Sequence, residues 1–516
     1  MPSAPSRHTG RTLGTERRLS VSATGDESVI RADVCVVGAG IAGLNALYVA
    51  SRYLRRDQRI VLVDRNDRVG GMWVDTYDYV RLHQPHAFFT AGDVKWTFGK
   101  PPGHLSTKTE VLDHLRHCLD EAAKAVQVTE LFGHELERAE EDGDVVVATC
   151  RGRDGSPVRV VADKLINAVG LSIEANPSLA LSSKRVRSVS PENCDMRDGP
   201  IAADDAPVWV IGSGKTGMDT VHALITNHPG RDVNLIAGTG TFFVNRDRFY
   251  PTGASRWWRG TRPNWFVAEM ANRFDGTNEA EVATWARETA GLWATPRADH
   301  LFIGLISEAE IERIRAGLRR VVMDHLVDAV DPDSTDGPVR VILRSGDHVD
   351  IEPGSWIVNC TSHFDFTGRP TEPPYVSPSG RSVRIGATGM FGFSSFAGYF
   401  LTHLLFLDKI TTVPLYTLDG IALFQRSPLA GVTAAMTLAQ YNLGQVADHV
   451  PAKVFQQCGL DFDRWYPLPR RFAGQVQFLV AHKRRRAQYR RALDVVGERF
   501  GIAHGPVVDA EASAVG

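Results

Sequence analysis

The hydrophobic positions of this chain form two similar patterns, which begin about 174 residues apart. In each pattern, a short and fully apolar run is followed by closely spaced glycines and then by apolar residues at helical spacing. The first pattern covers residues 32–54 and the second covers residues 206–228. An apolar run rich in β-branched residues predicts a buried parallel strand, and the periodic stretch predicts a helix. Each pattern therefore predicts a strand–turn–helix unit.

The turn of the first unit carries Gly38, Gly40 and Gly43 in the spacing G-x-G-x-x-G. In dinucleotide-binding folds the first glycine makes the turn, the second lets the backbone approach a pyrophosphate, and the third lets helix and strand pack closely. A second apolar run, residues 59–64, ends in Asp64, where an acid accepts hydrogen bonds from a ribose. A glycine-rich turn without a ligand is the plainer alternative. The complete strand–turn–helix–strand arrangement favours a dinucleotide site.

The turn of the second unit contains the letters GKT, which also end a phosphate-binding P-loop. A P-loop has its first glycine five positions before the glycine that precedes the lysine. That position is Trp209, inside the predicted strand, so a P-loop is disfavoured. The same letters fit a second G-x-G-x-x-G turn. The residues predicted to bind this second dinucleotide are Gly212, Gly214, Lys215, Thr216 and Gly217.

The nucleotide of the second unit is predicted to be NADPH, and NADH stays open. The next predicted strand, residues 232–238, does not end in an acid, which would favour the ribose hydroxyl of NADH. Lys215 or Arg246 could supply positive charge for the 2′-phosphate of NADPH. For each of them, an exposed surface base without a ligand is the alternative.

Composition narrows the class of protein. The chain has 516 residues, a length typical of two to four domains, and a formal net charge of −2. This balance gives no indication of nucleic-acid binding, which usually comes with a basic excess. The six cysteines include no C-x-x-C pair, which argues against a disulfide framework, a zinc ribbon and a redox-active dithiol. Scattered thiols favour a cytoplasmic location.

Two segments bear on secretion and membrane insertion. Residues 1–28 are polar and lack the apolar core of a secretory signal, so they are predicted to be a disordered tail. Residues 390–407 are apolar enough to suggest a membrane span, but they also carry serines, glycines and His403. A buried helix packed against a ligand is the favoured interpretation, and no membrane span is predicted.

After Asp64 the chain continues "RNDRVGGMW", and here it resembles the flavin-containing and Baeyer–Villiger monooxygenases, the class B flavoprotein monooxygenases. Residues 104–120, 162–170 and 355–363 are similar to further segments of that family. One departure is clear: residues 179–195 lack the family's histidine signature, and Ser188 lies nearest to the histidine position. In the family a G-G-x-W segment runs along FAD, which implies FAD contacts from Arg65, Gly71, Met72 and Trp73.

The resemblance implies an α/β fold with two dinucleotide-binding, Rossmann-like, three-layer domains, the second inserted in the first, and a helical C-terminal region. FAD would occupy the first domain and the nicotinamide nucleotide the second. The implied division of the chain is a tail (1–28), the first part of the FAD domain (29–205), the NAD(P)H domain (206–344) with a helical insertion at about 250–330, the second part of the FAD domain (345–410), and the C-terminal region (411–516).

The catalytic residues are predicted from the segment at 79–89, where the family carries Thr and Asn and this chain carries His83 and Gln84. Gln84 could make the same amide hydrogen bonds, and the neighbouring bases could stabilise charge or transfer protons. The apolar helix near position 394 would direct the positive end of its dipole at the flavin, although a core helix without a ligand is the alternative. The predicted catalytic residues are Arg81, His83, Gln84 and His86. His83, Gln84, Ser394 and Ser395 are also predicted to contact the flavin.

The function implied by the resemblance is an FAD- and NAD(P)H-dependent monooxygenase that oxygenates a small organic substrate with O₂ through a C4a-(hydro)peroxyflavin. Two alternatives stay open: an FAD-dependent NAD(P)H dehydrogenase or reductase that inserts no oxygen, and a non-catalytic nucleotide-binding flavoprotein. Neither a metal nor a nucleic-acid partner is expected. Residues 411–516 match no family segment, and a cover over the active site or a homodimer contact is expected of them.

Overall fold

The computed structural model describes residues 28–170, 176–332, 337–361, 376–386 and 390–507. The predicted tail therefore lies almost entirely outside the described residues. The strands in these ranges are β1 (Ser28–Val37), β2 (Arg59–Asp64), β3 (Gln127–Phe132), β4 (His134–Asp142), β5 (Val145–Gly152), β6 (Pro157–Asn167), β7 (Arg187–Val189), β8 (Val208–Ile211), β9 (Val233–Ile236), β10 (Thr241–Asn245), β11 (Gly291–Leu292), β12 (His300–Ile306), β13 (Leu318–Val322), β14 (Leu326–Val330), β15 (Val339–Leu343), β16 (His348–Ile351), β17 (Trp356–Asn359), β18 (Ser382–Arg384), β19 (Tyr416–Leu418) and β20 (His504–Pro506).

The α-helices of the same ranges follow the order of the chain. They are α1 (Ile41–Tyr53), α2 (Lys108–Ala123), α3 (Lys215–Asn227), α4 (Arg246–Phe249), α5 (Pro263–Arg273), α6 (Glu279–Ala290), α7 (Glu308–Gly317), α8 (Ser394–Phe406), α9 (Gly420–Arg426), α10 (Pro428–His449), α11 (Ala452–Gln456) and α12 (Leu468–Phe500).

The first sheet has the strand order β3-β2-β1-β6-β5-β4, and β18 pairs with β6. Strands β3, β2, β1, β6 and β18 run parallel to one another. Strand β5 pairs antiparallel with β6 and with β4. Val37 is level with Val63 on one side and with Asn167 on the other. The three strands therefore end together, and the turns that follow them lie at one edge of the sheet.

The second sheet has the order β13-β9-β8-β17-β7, and all its pairings are parallel. Its strands β7 to β17 come after β6 and before β18 in the sequence, so the second sheet is nested inside the chain of the first. Both glycine-rich units form the predicted strand, turn and helix, as β1–α1 and β8–α3. The predicted fold class, two Rossmann-like domains with the second inserted in the first, is confirmed.

The stretch at 250–330, predicted as a helical insertion, contains strands as well as helices. Helices α5 and α6 are followed there by β11 and β12, then by α7, and then by β13 and β14. Strand β13 is part of the second nucleotide sheet, where it pairs with β9. It is a five-residue edge strand with exposed arginines, and such a strand lacks the alternating or fully apolar pattern that identifies strands in a sequence.

The C-terminal region is helical, as predicted. Helix α10 is buried along much of its length and contacts α5, α6 and α12. Among the helices of the described ranges, none combines the length and the hydrophobicity that crossing a bilayer requires.

Helices α1 and α8 make an extensive contact in the first domain. Residues 390–407, predicted to hold a buried helix, contain α8, which is buried from Ala397 to Leu405. Gly398 allows the contact, since a Cβ atom there would lie 2.2 Å from the carbonyl oxygen of Ala42. Helix α8 therefore packs directly on the first turn of α1.

We predict that Gly398→Ala destabilises the protein by about 1–3 kcal/mol, because the added methyl group forces α1 and α8 apart. Urea unfolding followed by circular dichroism measures the change. Gly99→Ala is the matched control, since a Cβ atom at Gly99 has no neighbour within 4 Å. Equal unfolding midpoints for the two variants would contradict the proposed packing.

Candidate nucleotide and active site

The first glycine turn is held in a conformation that only glycine tolerates. Gly38 has φ +102°, and a Cβ atom there would lie 2.4 Å from the carbonyl oxygen of Ala168. At Gly43 a Cβ atom would lie 1.7 Å from the carbonyl oxygen of Gly38, so the third glycine is also sterically required. Gly40 precedes the first residue of α1. The turn thus has the geometry that the sequence predicted for it.

Asp64 lies at the end of β2, is buried, and braces this turn. Its carboxylate accepts the N–H of Ala39 at 2.6 Å and the N–H of Asn66 at 2.8 Å. Burial raises the pKa of Asp64, while these two backbone donors act in the opposite direction. The sequence indicated only a ribose contact for Asp64, and the structure adds a bracing role.

Two helix N-termini meet beside this turn. Helix α1 begins after Gly40 and α8 begins after Phe393, and neither has a side-chain cap. The first N–H groups of a helix have no partner within the helix and favour anions or acceptor groups. Ser394 and Ser395 are the first two residues of α8, and Gly398 lies against Ala42 of α1. Both sets of N–H donors are therefore brought to the same edge of the first sheet.

Large apolar side chains are exposed at this edge. Met72 is 53% exposed, Val169, just after β6, is 49% exposed, and Phe393 is 40% exposed. Gly71 packs on the turn, because a Cβ atom there would lie 2.8 Å from the Cα of Gly40. Apolar surface next to unpaired backbone donors fits a ligand with a flat ring system and a pyrophosphate.

Trp73 and Arg65 are also among the residues predicted to contact FAD. Trp73 packs edge-on against Phe89, with ring centroids 5.6 Å apart. Arg65 follows Asp64 and is exposed. Contact of either residue with a cofactor stays a prediction.

The second glycine turn repeats the first. Gly212 has φ +106°, and a Cβ atom there would lie 2.5 Å from the carbonyl oxygen of Cys360. Gly214 precedes α3, which has no side-chain cap, and a Cβ atom at Gly214 would have no neighbour within 4 Å. The open space beside Gly214 and the free end of α3 fit a second pyrophosphate. Thr216 and Gly217 belong to the first turn of α3.

Residues 77–83 connect the two nucleotide-binding units. The hydroxyl of Tyr77 donates to Asp219 of α3 at 2.9 Å, and Asp219 also pairs with Lys215. The hydroxyls of Tyr79 and Thr220 lie 2.8 Å apart. These bonds fix the segment that leads to His83 against the first turns of α3.

His83 is half-buried and lies near the charged side chains of Lys215, Arg246 and Glu310. Its Nδ1 accepts the N–H of Leu305 at 3.1 Å, and its carbonyl accepts from Arg246 at 3.4 Å. Burial, together with Lys215 and Arg246, lowers the pKa of His83 to about 3. His83 is therefore neutral near pH 7. Because Nδ1 accepts, the ring proton resides on Nε2.

Glu310 partners Arg246 and was not identified from the sequence. Burial alone would raise the pKa of Glu310, but Arg246 and the N–H and hydroxyl of Ser307 lower it. Its position three residues after Ser307 forms a capping box at the start of α7. That S-x-x-E pattern was the only signal in the sequence, and it indicates a helix start rather than an ion pair.

The other predicted catalytic residues do not all lie beside His83. Arg81 is exposed, and its backbone bridges to Thr107. Gln84 is half-buried next to His83. His86 is buried in an aromatic cluster, with its ring centroid 5.2 Å from that of Trp96, and its Nδ1 lies 3.2 Å from the His104 carbonyl oxygen.

Phe88, Phe393 and Phe462 form an aromatic wall next to the start of α8. The sequence analysis did not identify this wall. Phe462, from the C-terminal region, has its ring centroid 5.6 Å from those of Phe393 and Phe88. Phe88 also contacts Tyr250, which packs edge-on against Trp465. Isolated aromatic residues carry no motif, so only the folded chain brings them together. Residues of the C-terminal region thereby reach the candidate active site.

Comparison with known proteins agrees with this architecture. Residues 36–98 match the family model described as NAD(P)-binding Rossmann-like domain. Uncharacterized proteins of Mycobacterium tuberculosis (strain H37Rv) and Mycobacterium bovis are 24% identical to the chain over 377 residues. The match covers 68% of this chain and 64% of each relative, so it spans less than two thirds of their length.

Similar solved structures include two monooxygenases and a disulfide reductase. A flavin-containing monooxygenase from Stenotrophomonas maltophilia is 14% identical, with a TM-score of 0.45 over 73% of this chain and 99% of that one. A steroid monooxygenase bound to NADP is 16% identical, with a TM-score of 0.47 over 88% of this chain and 98% of that one. A bacillithiol disulfide reductase from Bacillus cereus is 12% identical, with a TM-score of 0.42 over 73% and 99%. At these low sequence identities and TM-scores, the likenesses do not indicate an activity for this chain.

We predict that His83 stays neutral, with its proton on Nε2, from pH 8 down to pH 5. With a pKa of about 3, roughly one molecule in a hundred carries a protonated His83 ring at pH 5. Nitrogen chemical shifts from ¹H–¹⁵N correlation spectra, assigned with His83→Gln, measure this, and free histidine in the same buffer is the reference. A His83 signal that titrates near pH 6.5 would show that the Leu305 contact does not hold the ring in its neutral form.

Proposed function

We propose that this chain is an FAD- and NADPH-dependent monooxygenase that inserts oxygen into a small, largely apolar organic substrate. The observation that carries the proposal is the nested pair of glycine turns, each followed by a helix without a side-chain cap. Two dinucleotide sites in one chain suit a hydride donor and a hydride acceptor, whose reactive rings the protein brings together. The resemblance of residues 65–73 to the FAD segment of class B monooxygenases supports this assignment.

FAD is assigned to the first turn. The N–H groups of α1 would bind its pyrophosphate, and Asp64 would accept from the ribose in addition to bracing the turn. Ser394 and Ser395 at the start of α8 would lie near the flavin, where the helix dipole favours negative charge on the reduced ring. The exposed side chains of Met72 and Val169 offer an apolar surface for the ring system.

The nicotinamide nucleotide is assigned to the second turn. The N–H groups at the start of α3 and the open position beside Gly214 would hold its pyrophosphate. Arg246 is paired with Glu310 and donates to the His83 carbonyl, so we assign it to the contact between the two domains rather than to the 2′-phosphate. Lys215, the first residue of α3, would have to exchange its partner Asp219 for a phosphate, and NADPH remains the proposed nucleotide.

Bound FAD would supply the hydride acceptor and, once reduced, the carbon that activates O₂. The chain supplies the surroundings of that chemistry. His83 is neutral and holds a proton on Nε2, and the Gln84 amide next to it adds hydrogen-bond donors. The aromatic wall of Phe88, Phe393 and Phe462 would exclude water and bind apolar substrates. A dehydrogenase or reductase without oxygen insertion is the competing assignment.

We predict that two alanine substitutions separate the two sites. Gly40→Ala weakens FAD binding by about tenfold or more, because its methyl group occupies the approach to the first pyrophosphate. Gly214→Ala retains FAD but reduces the rate of flavin reduction by NADPH to a similar degree. Flavin content after purification and stopped-flow flavin absorbance measure the two effects.

The control for this pair is Gly99→Ala, which should match the wild type in both assays. A Cβ atom at Gly214 has no neighbour within 4 Å, so loss of folding does not explain a defect of that variant. NADPH reduction that survives Gly214→Ala unchanged would show that the second turn does not hold the nicotinamide nucleotide.

We predict that turnover with NADPH and ¹⁸O₂ incorporates one ¹⁸O atom into the product of an accepted amine, sulfide or ketone. Mass spectrometry of the product measures incorporation, and NADPH consumption without substrate gives the background. Fast electron transfer to artificial acceptors without ¹⁸O incorporation for any accepted substrate would assign the chain to the dehydrogenase or reductase class instead.

A further inference from the structure

The first half of α12 presents an apolar stripe to solvent. Leu468 is 74% exposed and Phe472 is 66% exposed, and the stripe continues through Val476, Leu479 and Val480. Their spacing of three and four residues places them on one side of the helix. The helix contacts the rest of the protein on another side, where Gly474 lies against Arg262 and His482 is buried.

A turn with two exposed tryptophans is hydrogen-bonded to the same helix. Trp258 is 70% exposed and Trp257 is 53% exposed. Arg470 of α12 donates to the carbonyls of Arg256, Arg259 and Gly260, which flank the two tryptophans. We call the stripe and this turn the α12 face, defined by Trp257, Trp258, Leu468, Phe472, Val476, Leu479 and Val480.

The segments that carry the α12 face are strongly basic. Residues 248–268 contain four arginines, and residues 464–493 contain nine lysines and arginines. Neither segment has an aspartate or a glutamate, although the whole chain has a net charge of −2. Lys483, Arg484 and Arg485 are exposed just beyond the apolar stripe.

Acidic groups from neighbouring elements neutralise only part of this charge. Asp463 pairs with Arg262, and Asp461 lies 3.5 Å from Arg471. Asp448 of α10 pairs with Arg486 and lies 3.6 Å from Lys483. The basic excess of the two segments therefore persists at the surface around the apolar stripe.

We propose that the α12 face docks this protein on an anionic lipid surface. A helix with an apolar stripe, flanking lysines and arginines, and nearby tryptophans is suited to lie in the plane of a lipid–water interface. The positive charges next to the stripe match the negative potential of anionic headgroups. The first half of α12 would lie along the surface, while its second half packs in the protein core.

The charge argues against a second copy of the chain as the occupant. A symmetric dimer through the α12 face would set the same basic segments against each other. Like charges that face each other across an interface oppose association, whereas anionic headgroups attract both segments. The lipid surface is therefore the favoured occupant.

Flotation of the intact, full-length protein with vesicles tests the proposal. Wild type should float with vesicles of equal parts phosphatidylcholine and phosphatidylglycerol, and much less with pure phosphatidylcholine. The double variant Phe472→Glu/Leu479→Glu should lose about tenfold or more of this binding. The triple variant Lys483→Gln/Arg484→Gln/Arg485→Gln should bind more weakly and with a smaller dependence on salt.

Val327→Glu is the matched control, because Val327 is a 60% exposed apolar residue on β14, outside the α12 face. It should float like the wild type. Circular dichroism and flavin content verify that all variants are folded, and neither vesicle readout depends on the proposed enzyme activity. The proposal would be overturned if the wild type failed to float, if it floated equally with both vesicle types, or if the double variant kept full binding.

The face would instead be assigned to a second copy of the chain if the wild type were a dimer that did not bind vesicles and the double variant were a monomer.

Discussion

The close contact between α1 and α8 is the constraint on which the candidate site depends. Gly398 touches the carbonyl of Ala42, and no larger residue fits without separating the helices. The whole second sheet lies between these two helices in the sequence, so the contact joins segments that precede and follow the second domain. Because both helices begin at this contact, their unpaired N–H groups reach one edge of the first sheet and create a site for an anionic dinucleotide.

A second set of contacts joins the two nucleotide-binding units. Tyr77 and Tyr79 bind α3, and His83 binds the backbone of Leu305. The charges near the domain contact are largely compensated, since Lys215 pairs with Asp219 and Arg246 pairs with Glu310. Burial, with a smaller contribution from Lys215 and Arg246, lowers the pKa of His83 and keeps the ring neutral, which makes it a hydrogen-bond donor through Nε2 rather than a cation. These hydrogen bonds hold the segment before His83 against the second unit, and this segment leads into the candidate active site.

Much of the fold could be predicted because its signals are local. Each glycine turn requires small residues at fixed spacing, and each buried parallel strand requires an apolar run, so both units are visible in the sequence. Strand β13 could not be predicted, because an edge strand with exposed arginines lacks such a pattern. The aromatic wall could not be predicted either: Phe88, Phe393 and Phe462 are far apart in the chain, and no local rule connects them.

The sequence by itself determined the two dinucleotide-binding units and their order, since these follow from backbone requirements at single positions, whereas the nesting of the second in the first was implied only by the family resemblance. The tertiary structure decided which side chains those units bring together. It placed His83 at the domain contact and His86 in a separate aromatic cluster, although both lie in one short polar segment. It also paired Arg246 with Glu310. Burial and pairing of charges depend on neighbours from distant parts of the chain, and only folding defines those neighbours.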